Sequence, residues 1–201
     1  MSVSIINPSI KLGKKEQHIH TKLIDRCREN DRKAHYELYE IYYKQMYNTS
    51  LRILNNTAEA EDVMQESFLT AFRKLDEYSG EGEFGAWLRR IVVNNAIDVL
   101  KKKQPALTFA TENLPDMEEP KEDDVDETDY KVSEIKEAMK LLPEDHRAII
   151  SLFLFEGYDH EEIAQILRIS YNASRTRFSR AKQKLKNVLA EQRTLKTFNP
   201  N

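Results

Sequence analysis

From Ala60 the apolar or small residues Ala60, Val63, Met64, Ser67, Phe68, Ala71, Phe72 and Leu75 recur at steps of three and four. That spacing predicts a helix with one buried face. A second helix is predicted from near Gly85, with Leu88, Ile91, Val92, Ala96, Val99 and Leu100 turned inward. Further on, Val132, Ile135, Met139 and Leu142 mark a third amphipathic helix, stopped before Pro143, which suits the first turn of the next helix. That next helix runs to about Phe155. Gly157 can then take a left-handed cap, and Asp159 followed by Glu162 is a capping-box signature for a short helix carrying Ile163, Ala164 and Leu167. After Arg168 and Ile169, Ser170 is an N-cap for a longer helix with Ser174, Phe178, Ala181, Leu185 and Val188 inward. Short helix, tight turn and long helix together predict a helix-turn-helix.

Composition agrees with an all-α fold. The chain has 201 residues, 40% hydrophobic and 32% charged, with only 5 Gly and 6 Pro. Its longest apolar run, Ile149 to Phe155, is far short of the roughly 20 residues that cross a bilayer, and the first residues lack a signal-peptide pattern. The expectation is a protein of the cytoplasm with no membrane insertion. The single cysteine, Cys27, allows no internal disulfide and no Cys-based zinc site, and is expected to be ordinary helix packing.

The formal net charge of −3 hides a strong asymmetry. Between Glu112 and Asp129 stand ten acids and one base, Lys121, which leaves the rest of the chain positive. With Pro105, Pro115 and Pro120 and few large apolar residues, this stretch cannot bury enough surface to offset its ordering entropy. The expected organisation is therefore two small helical domains joined by an acidic flexible linker. The boundaries are a flexible N-terminus at 1–19, a first domain at 20–103, the linker at 104–129, a four-helix helix-turn-helix domain at 130–193 and a flexible tail at 194–201.

Three surfaces carry candidate chemistry. On the outward side of the Ala60 helix, Asp62, Gln65 and Glu66 surround Leu69, an acidic and amide face with an apolar centre that suits a basic partner helix. Beside the core face of the Gly85 helix lie Trp87, Arg90, Asn94, Asp98 and Lys101, preceded by a stretch from Tyr78 to Gly85 that holds Gly80, Gly82 and Phe84. Aromatics stack on unpaired bases, amides read base edges and cations hold phosphates, so this face suits single-stranded nucleic acid. The third surface is the long helix of the helix-turn-helix, with Asn172, Arg175, Thr176, Ser179, Arg180 and Lys182 outward. From Ala164 to Leu195 eight bases oppose one acid, Glu191, as expected of a helix lying in a major groove. A catalytic or metal-binding reading is poorly served. The carboxylates crowd into the linker, and His146 and His160 sit on separate helices without a ligand pattern.

The segments AEDVMQESFLTAF (Ala60 to Phe72), FGAWLRRIVVNNAIDVLKKK (Phe84 to Lys103), LLPEDHRAII (Leu141 to Ile150), EEIAQILRIS (Glu161 to Ser170) and SRAKQKL (Ser179 to Leu185) occur in this order. Together they resemble a bacterial sigma factor of the extracytoplasmic-function type. The resemblance implies a non-enzymatic subunit that needs no cofactor and no metal. It would bind core RNA polymerase, direct it to promoters and help open the strands. By the same resemblance, Asp62, Gln65, Glu66 and Leu69 would dock on the clamp helices of the largest polymerase subunit, with the flap as a further contact. Tyr78, Phe84, Trp87, Arg90, Asn94 and Lys101 would serve the minus-ten element, the Tyr78 to Gly85 loop holding a flipped base. Asn172, Arg175, Thr176, Ser179, Arg180 and Lys182 would read the minus-thirty-five element. The acidic linker would thread the polymerase channels, and an anti-sigma factor would be a further partner.

Part of the helix-turn-helix departs from the family's pattern. Arg168 and Asn172 stand where glycine is frequent, and Ala173 and Ser174 replace a Thr-Val pair. Arg168 in a left-handed turn would cost on the order of 1 kcal/mol, and Ser174 is expected to weaken the packing of the recognition helix. A free-standing helix-turn-helix regulator is the alternative, and it would bind duplex DNA tightly without polymerase.

Overall fold

The computed structural model describes residues 14–80, 82–103 and 131–198, and among them all regular structure is helical. The expected acidic linker at 104–129 lies outside the described residues. The chain divides into two units after Leu100, within the last turn of the fourth helix.

The first unit contains α1 (Lys14–Arg28), α2 (Arg32–Leu54), α3 (Thr57–Arg73), a 3-10 turn (Leu75–Glu77) and α4 (Phe84–Lys103). Helix α1 begins before residue 20, inside the stretch expected to be a flexible N-terminus. Asp31 starts α2 by accepting from the backbone N–H groups of Lys33 and Ala34 at 2.9 and 3.3 Å. Two further bonds from the Arg26 guanidinium, at 2.9 and 2.7 Å, hold the Asp31 carboxyl below the usual carboxylate range. At the other end Asn55 adopts φ 53°, a left-handed cap, and the next residue, Asn56, caps α3 through its side chain. Two consecutive asparagines thus end one helix and start the next, and α3 folds back onto α2.

Buried in α2 are Ala34, Leu38, Tyr42, Met46, Ile53 and Leu54, and in α3 Ala60, Val63, Met64, Ser67, Phe68 and Ala71. The α3 stripe is thus the one expected, with Phe72 only half-buried. Ser67 ties α3 to α4: its hydroxyl donates to the Val63 carbonyl at 2.6 Å and accepts from Asn95 Nδ2 of α4 at 2.9 Å. Helix α4 buries Leu88, Val92, Val93, Ala96, Ile97 and Leu100, while Ile91 and Val99 are half-buried at its flanks. Cys27 is a buried packing residue.

The second unit contains α5 (Val132–Lys140), α6 (Glu144–Ile150), a π-helical segment (Ser151–Phe155), α7 (His160–Leu167) and α8 (Tyr171–Phe198). Pro143 is the N-cap of α6, one position earlier than its favoured place inside the first turn. The helix expected to reach Phe155 does so, but its last turn widens so that Glu156 N–H bonds the Ser151 carbonyl at 3.1 Å. Gly157 takes φ 77°, and Asp159 and Glu162 form the expected reciprocal box at 2.8 and 3.0 Å. Ser170 caps α8 by accepting from Ala173 N–H at 3.1 Å. Helix α8 continues to Phe198, through residues expected to form a tail, because no helix breaker precedes Pro200.

Arg168 stands at φ 59°, ψ 50°, and Ile169 N–H reaches back to the Ala164 carbonyl at 3.0 Å. This is a Schellman-type end with a side chain where glycine is preferred. Arg168→Gly is expected to raise the stability of this unit by about 1 kcal/mol. Calorimetry of the full chain should show its transition several degrees higher.

Candidate functional site

Helix α3 turns Asp62, Gln65, Glu66 and Leu69 outward together. All four are exposed, Leu69 by 54%. Within the face, Gln65 Nε2 donates to Glu61 at 3.3 Å and Arg73 pairs with Glu66 at 2.8 Å across two turns. Exposed pairs of this kind add little stability; they fix where the carboxylates point. Sequence reasoning missed an aromatic band on α2 that adjoins this helix. Tyr39 stacks on Tyr43 with centroids 5.4 Å apart and leans on Phe68 of α3 at 4.9 Å. Burial, with Glu40 and Glu61 as further causes, raises the Tyr39 hydroxyl above its ordinary value.

The stretch before α4 borders an open cavity of about 370 Å³ lined by His20, Thr21, Ile24, Asp25 and Arg28 of α1 and by Tyr78, Gly80, Gly82, Glu83 and Phe84. Its walls are tied together. Arg28 Nη2 donates to the Tyr78 carbonyl at 2.7 Å, and Arg28 Nη1 pairs with Asp25 at 3.0 Å. Gly80 and Gly82, at φ 81° and 78°, turn the chain so that the Tyr78 hydroxyl can donate to the Gly82 carbonyl at 2.8 Å. Tyr42 of α2 stands behind Phe84 and shares a 2.9 Å hydrogen bond with Nδ1 of His20. Burial pushes the Tyr42 hydroxyl up to about 12, so it stays protonated at neutral pH.

Two residues expected to serve the minus-ten element are buried rather than free to stack. Tyr78 is 7% exposed and Phe84 3%. Their rings meet edge to face at 5.4 Å, and each lies 5.5 Å from Trp87. Both are therefore engaged in packing, and the glycine turns are what fold Tyr78 under. Trp87 is half-buried on this platform, Arg90, Asn94 and Asp98 are exposed along the same side of α4, and Lys101 is half-buried at its end. The cavity's polar rim, His20, Asp25 and Arg28, was not singled out from the sequence. Those residues precede the loop by some fifty positions, and only tertiary packing brings them to it.

On α8, Asn172, Arg180 and Lys182 are exposed, and Arg175, Thr176 and Ser179 are half-buried. The Arg175 guanidinium lies 5.9 Å from the centre of the exposed Tyr171 ring. Inward lie Ser174, Ala181, Leu185 and Val188, with Phe178 half-buried against Phe153 at 4.3 Å. Ser174 does not leave the packing defect expected of it: it is fully buried and its hydroxyl is bonded to Nδ1 of His160 at 3.0 Å. Among the described residues no group of His, Cys, Asp and Glu could hold a metal ion, and no helix is long and apolar enough to cross a membrane.

A family model described as Sigma-70 region 2 matches residues 38–105, and one described as Sigma-70, region 4 matches residues 133–185. The chain is 31% identical over 180 residues to the ECF RNA polymerase sigma factor SigW of Bacillus subtilis, covering 85% of this chain and 96% of that one. It is 29% identical over 184 residues to an ECF RNA polymerase sigma-E factor of Haemophilus influenzae, covering 87% and 97%. Among solved structures, the sigma factor RpoE in complex with the anti-sigma factor NepR from Bartonella quintana shares the fold. That likeness has a TM-score of 0.52 at 20% identity, over 77% of this chain and 96% of that one. CnrH in complex with the cytosolic domain of CnrY is similar, with a TM-score of 0.51 at 21% identity over 84% and 96%.

Proposed function

The chain belongs to the extracytoplasmic-function sigma factors of the sigma-70 family, which direct RNA polymerase to promoters, and from that premise we propose how its surfaces divide the work. The α3 face of Asp62, Gln65, Glu66 and Leu69 docks on the clamp helices of the largest core subunit, carboxylates to basic side chains and Leu69 to the apolar seam between them. Helix α4 then takes the minus-ten strand. Trp87 offers a ring to an unpaired base, Asn94 a base-edge contact, and Arg90 and Lys101 hold phosphates. An extruded base enters the cavity beside it, and strand opening follows from capture, since binding the flipped base offsets the few kcal/mol of unstacking.

One observation carries this reading: Trp87 rests on Tyr78 and Phe84, the two rings that also wall the cavity, so the stacking surface and the pocket form one rigid unit. Helix α8 reads the minus-thirty-five duplex through Asn172, Arg175, Thr176, Ser179, Arg180 and Lys182. The acidic residues of 104–129 occupy the polymerase's basic channels, and the flap receives the second unit. The chain acts in the cytoplasm, contributes no catalysis of its own, needs no cofactor and is held in reserve by an anti-sigma factor. A free-standing regulator would leave the region 2 match and the acidic α3 face without a use.

The test is transcription by reconstituted holoenzyme on linear and pre-melted templates. Arg90→Ala with Asn94→Ala should lower output from a fully paired promoter by about tenfold or more. A template already open across the minus-ten region should recover most of that loss. Equal losses on both templates would overturn capture through α4.

A further inference from the structure

We propose that His160 is the positioning residue of the promoter-reading helix: its imidazole, stacked on Phe153 and bonded to Ser174, fixes the roll of α8 and so the direction in which Arg175 leaves it. The inference rests on the reading of α8 as the minus-thirty-five helix. Ser174 is fully buried one turn into α8, and the imidazole Nδ1 of His160 meets its hydroxyl at 3.0 Å. A buried hydroxyl is costly without a partner and directional with one.

The imidazole in turn is held on several sides. It stacks on Phe153 at 4.8 Å and 28°, meets Phe178 at 5.5 Å and 67°, and faces Tyr171 edge-on at 6.2 Å. Its backbone is the first residue of α7, anchored by the reciprocal Asp159–Glu162 box. An unbroken line of fixed groups therefore runs from the cap of α7 through His160 to Ser174, whose chain neighbour is Arg175.

This lock has a charge state. Burial and the Arg175 guanidinium disfavour the imidazolium, Asp159 at the cap opposes them, and the net effect holds His160 below its ordinary value of 6.5. The other ionisable ring against it is Tyr171 of α8, while the π-helical segment contributes Phe153. Above the unfolded value the neutral lock is fully present; as pH falls below it, the undocked imidazole binds a proton first, and the lock loses stability until the lowered native value is passed.

The experiment uses holoenzyme reconstituted from the full chain and core polymerase, with a promoter selected from a library randomised at the minus-thirty-five position. The readout is the ratio of transcripts from that promoter to those from a copy with the minus-thirty-five element scrambled. This ratio cancels the polymerase's own pH dependence. For the wild type it should fall by about two- to threefold between roughly pH 8 and pH 5.5. His160→Phe keeps a stacking ring but cannot titrate or bond Ser174. It should lower the ratio at high pH and flatten the profile, and adding Ser174→Val should restore the ratio while leaving the profile flat. His146→Gln should keep the wild-type profile. A wild-type ratio independent of pH, an unchanged slope in His160→Phe, or no rescue by Ser174→Val would overturn the inference alone. A wild type indifferent to the scrambled element at every pH would overturn the reading of α8 as well.

Discussion

Glu66→Lys is expected to weaken binding of the full chain to core polymerase by about a hundredfold, an amount within the range of single close charge pairs at interfaces. The carboxylate is 57% exposed and its partner, Arg73, 64%, so the pair contributes little to folding. Reversal places a second cation beside Arg73 on solvent, which costs the free chain a few tenths of a kcal/mol at most. Against the basic clamp helices proposed as its partner, the same change would replace an attraction with a repulsion near the apolar centre of the face, where a docked Leu69 would exclude water and lower the local dielectric. Glu66→Gln, which removes the charge without reversing it, should fall between wild type and Glu66→Lys. Competition for core polymerase against a labelled sigma factor measures all three. Unaltered competition by Glu66→Lys, with an unfolding midpoint equal to wild type, would place the docking surface elsewhere.

The elements legible in the sequence are those whose signals are local. The α3 stripe, the Asp159–Glu162 box, Gly157 and the Ser170 cap each need only a few neighbouring residues, and each stands where expected. Helix α2 was illegible for the opposite reason. Its buried Ala34, Leu38, Tyr42 and Met46 keep helical spacing, but Tyr36, Tyr39, Ile41, Tyr43 and Tyr47 put apolar groups on its other sides. Thr49 and Ser50, polar by type, are fully buried, Ser50 through a 3.1 Å bond to the Met46 carbonyl. No single stripe stands out in such a helix.

The site shows the same boundary between local and distant information. Asp62, Gln65, Glu66 and Leu69 could be grouped from spacing alone because they share one helix. Tyr78 and Phe84 could not be told from reachable aromatics, since the turn that folds Tyr78 under Trp87 depends on Arg28, fifty residues away, binding its carbonyl. Ser174 read as a defect because its partner, His160, belongs to another helix. Where a polar residue falls on an inward position, the sequence names the question and only the packing supplies the answer.

Gly85→Ala tests that packing where it supports the cavity, and it is expected to destabilise the first unit by about 2 kcal/mol. Two effects compete. Alanine improves helix propensity by up to about 1 kcal/mol, and less at the first turn, where the chain is only beginning its helical bonds. Against this, a Cβ at Gly85 would stand 2.8 Å from Tyr42 Cε1 and 3.5 Å from its Cδ1, closer than carbon atoms pack. The ring cannot give way freely. It is 7% exposed, bonded through its hydroxyl to His20 and packed against Phe84. Overpacking should therefore win over propensity, and the displacement would pass through Phe84 to Trp87, lowering promoter opening beyond the loss of stability. Tyr42→Phe removes the hydroxyl tether and lets the ring move. In that background Gly85→Ala should cost about half as much, giving a coupling energy that urea unfolding of the four variants can measure. An increase in stability on Gly85→Ala, as propensity alone requires, would mean that Tyr42 is not a rigid support behind Phe84 and the α4 face.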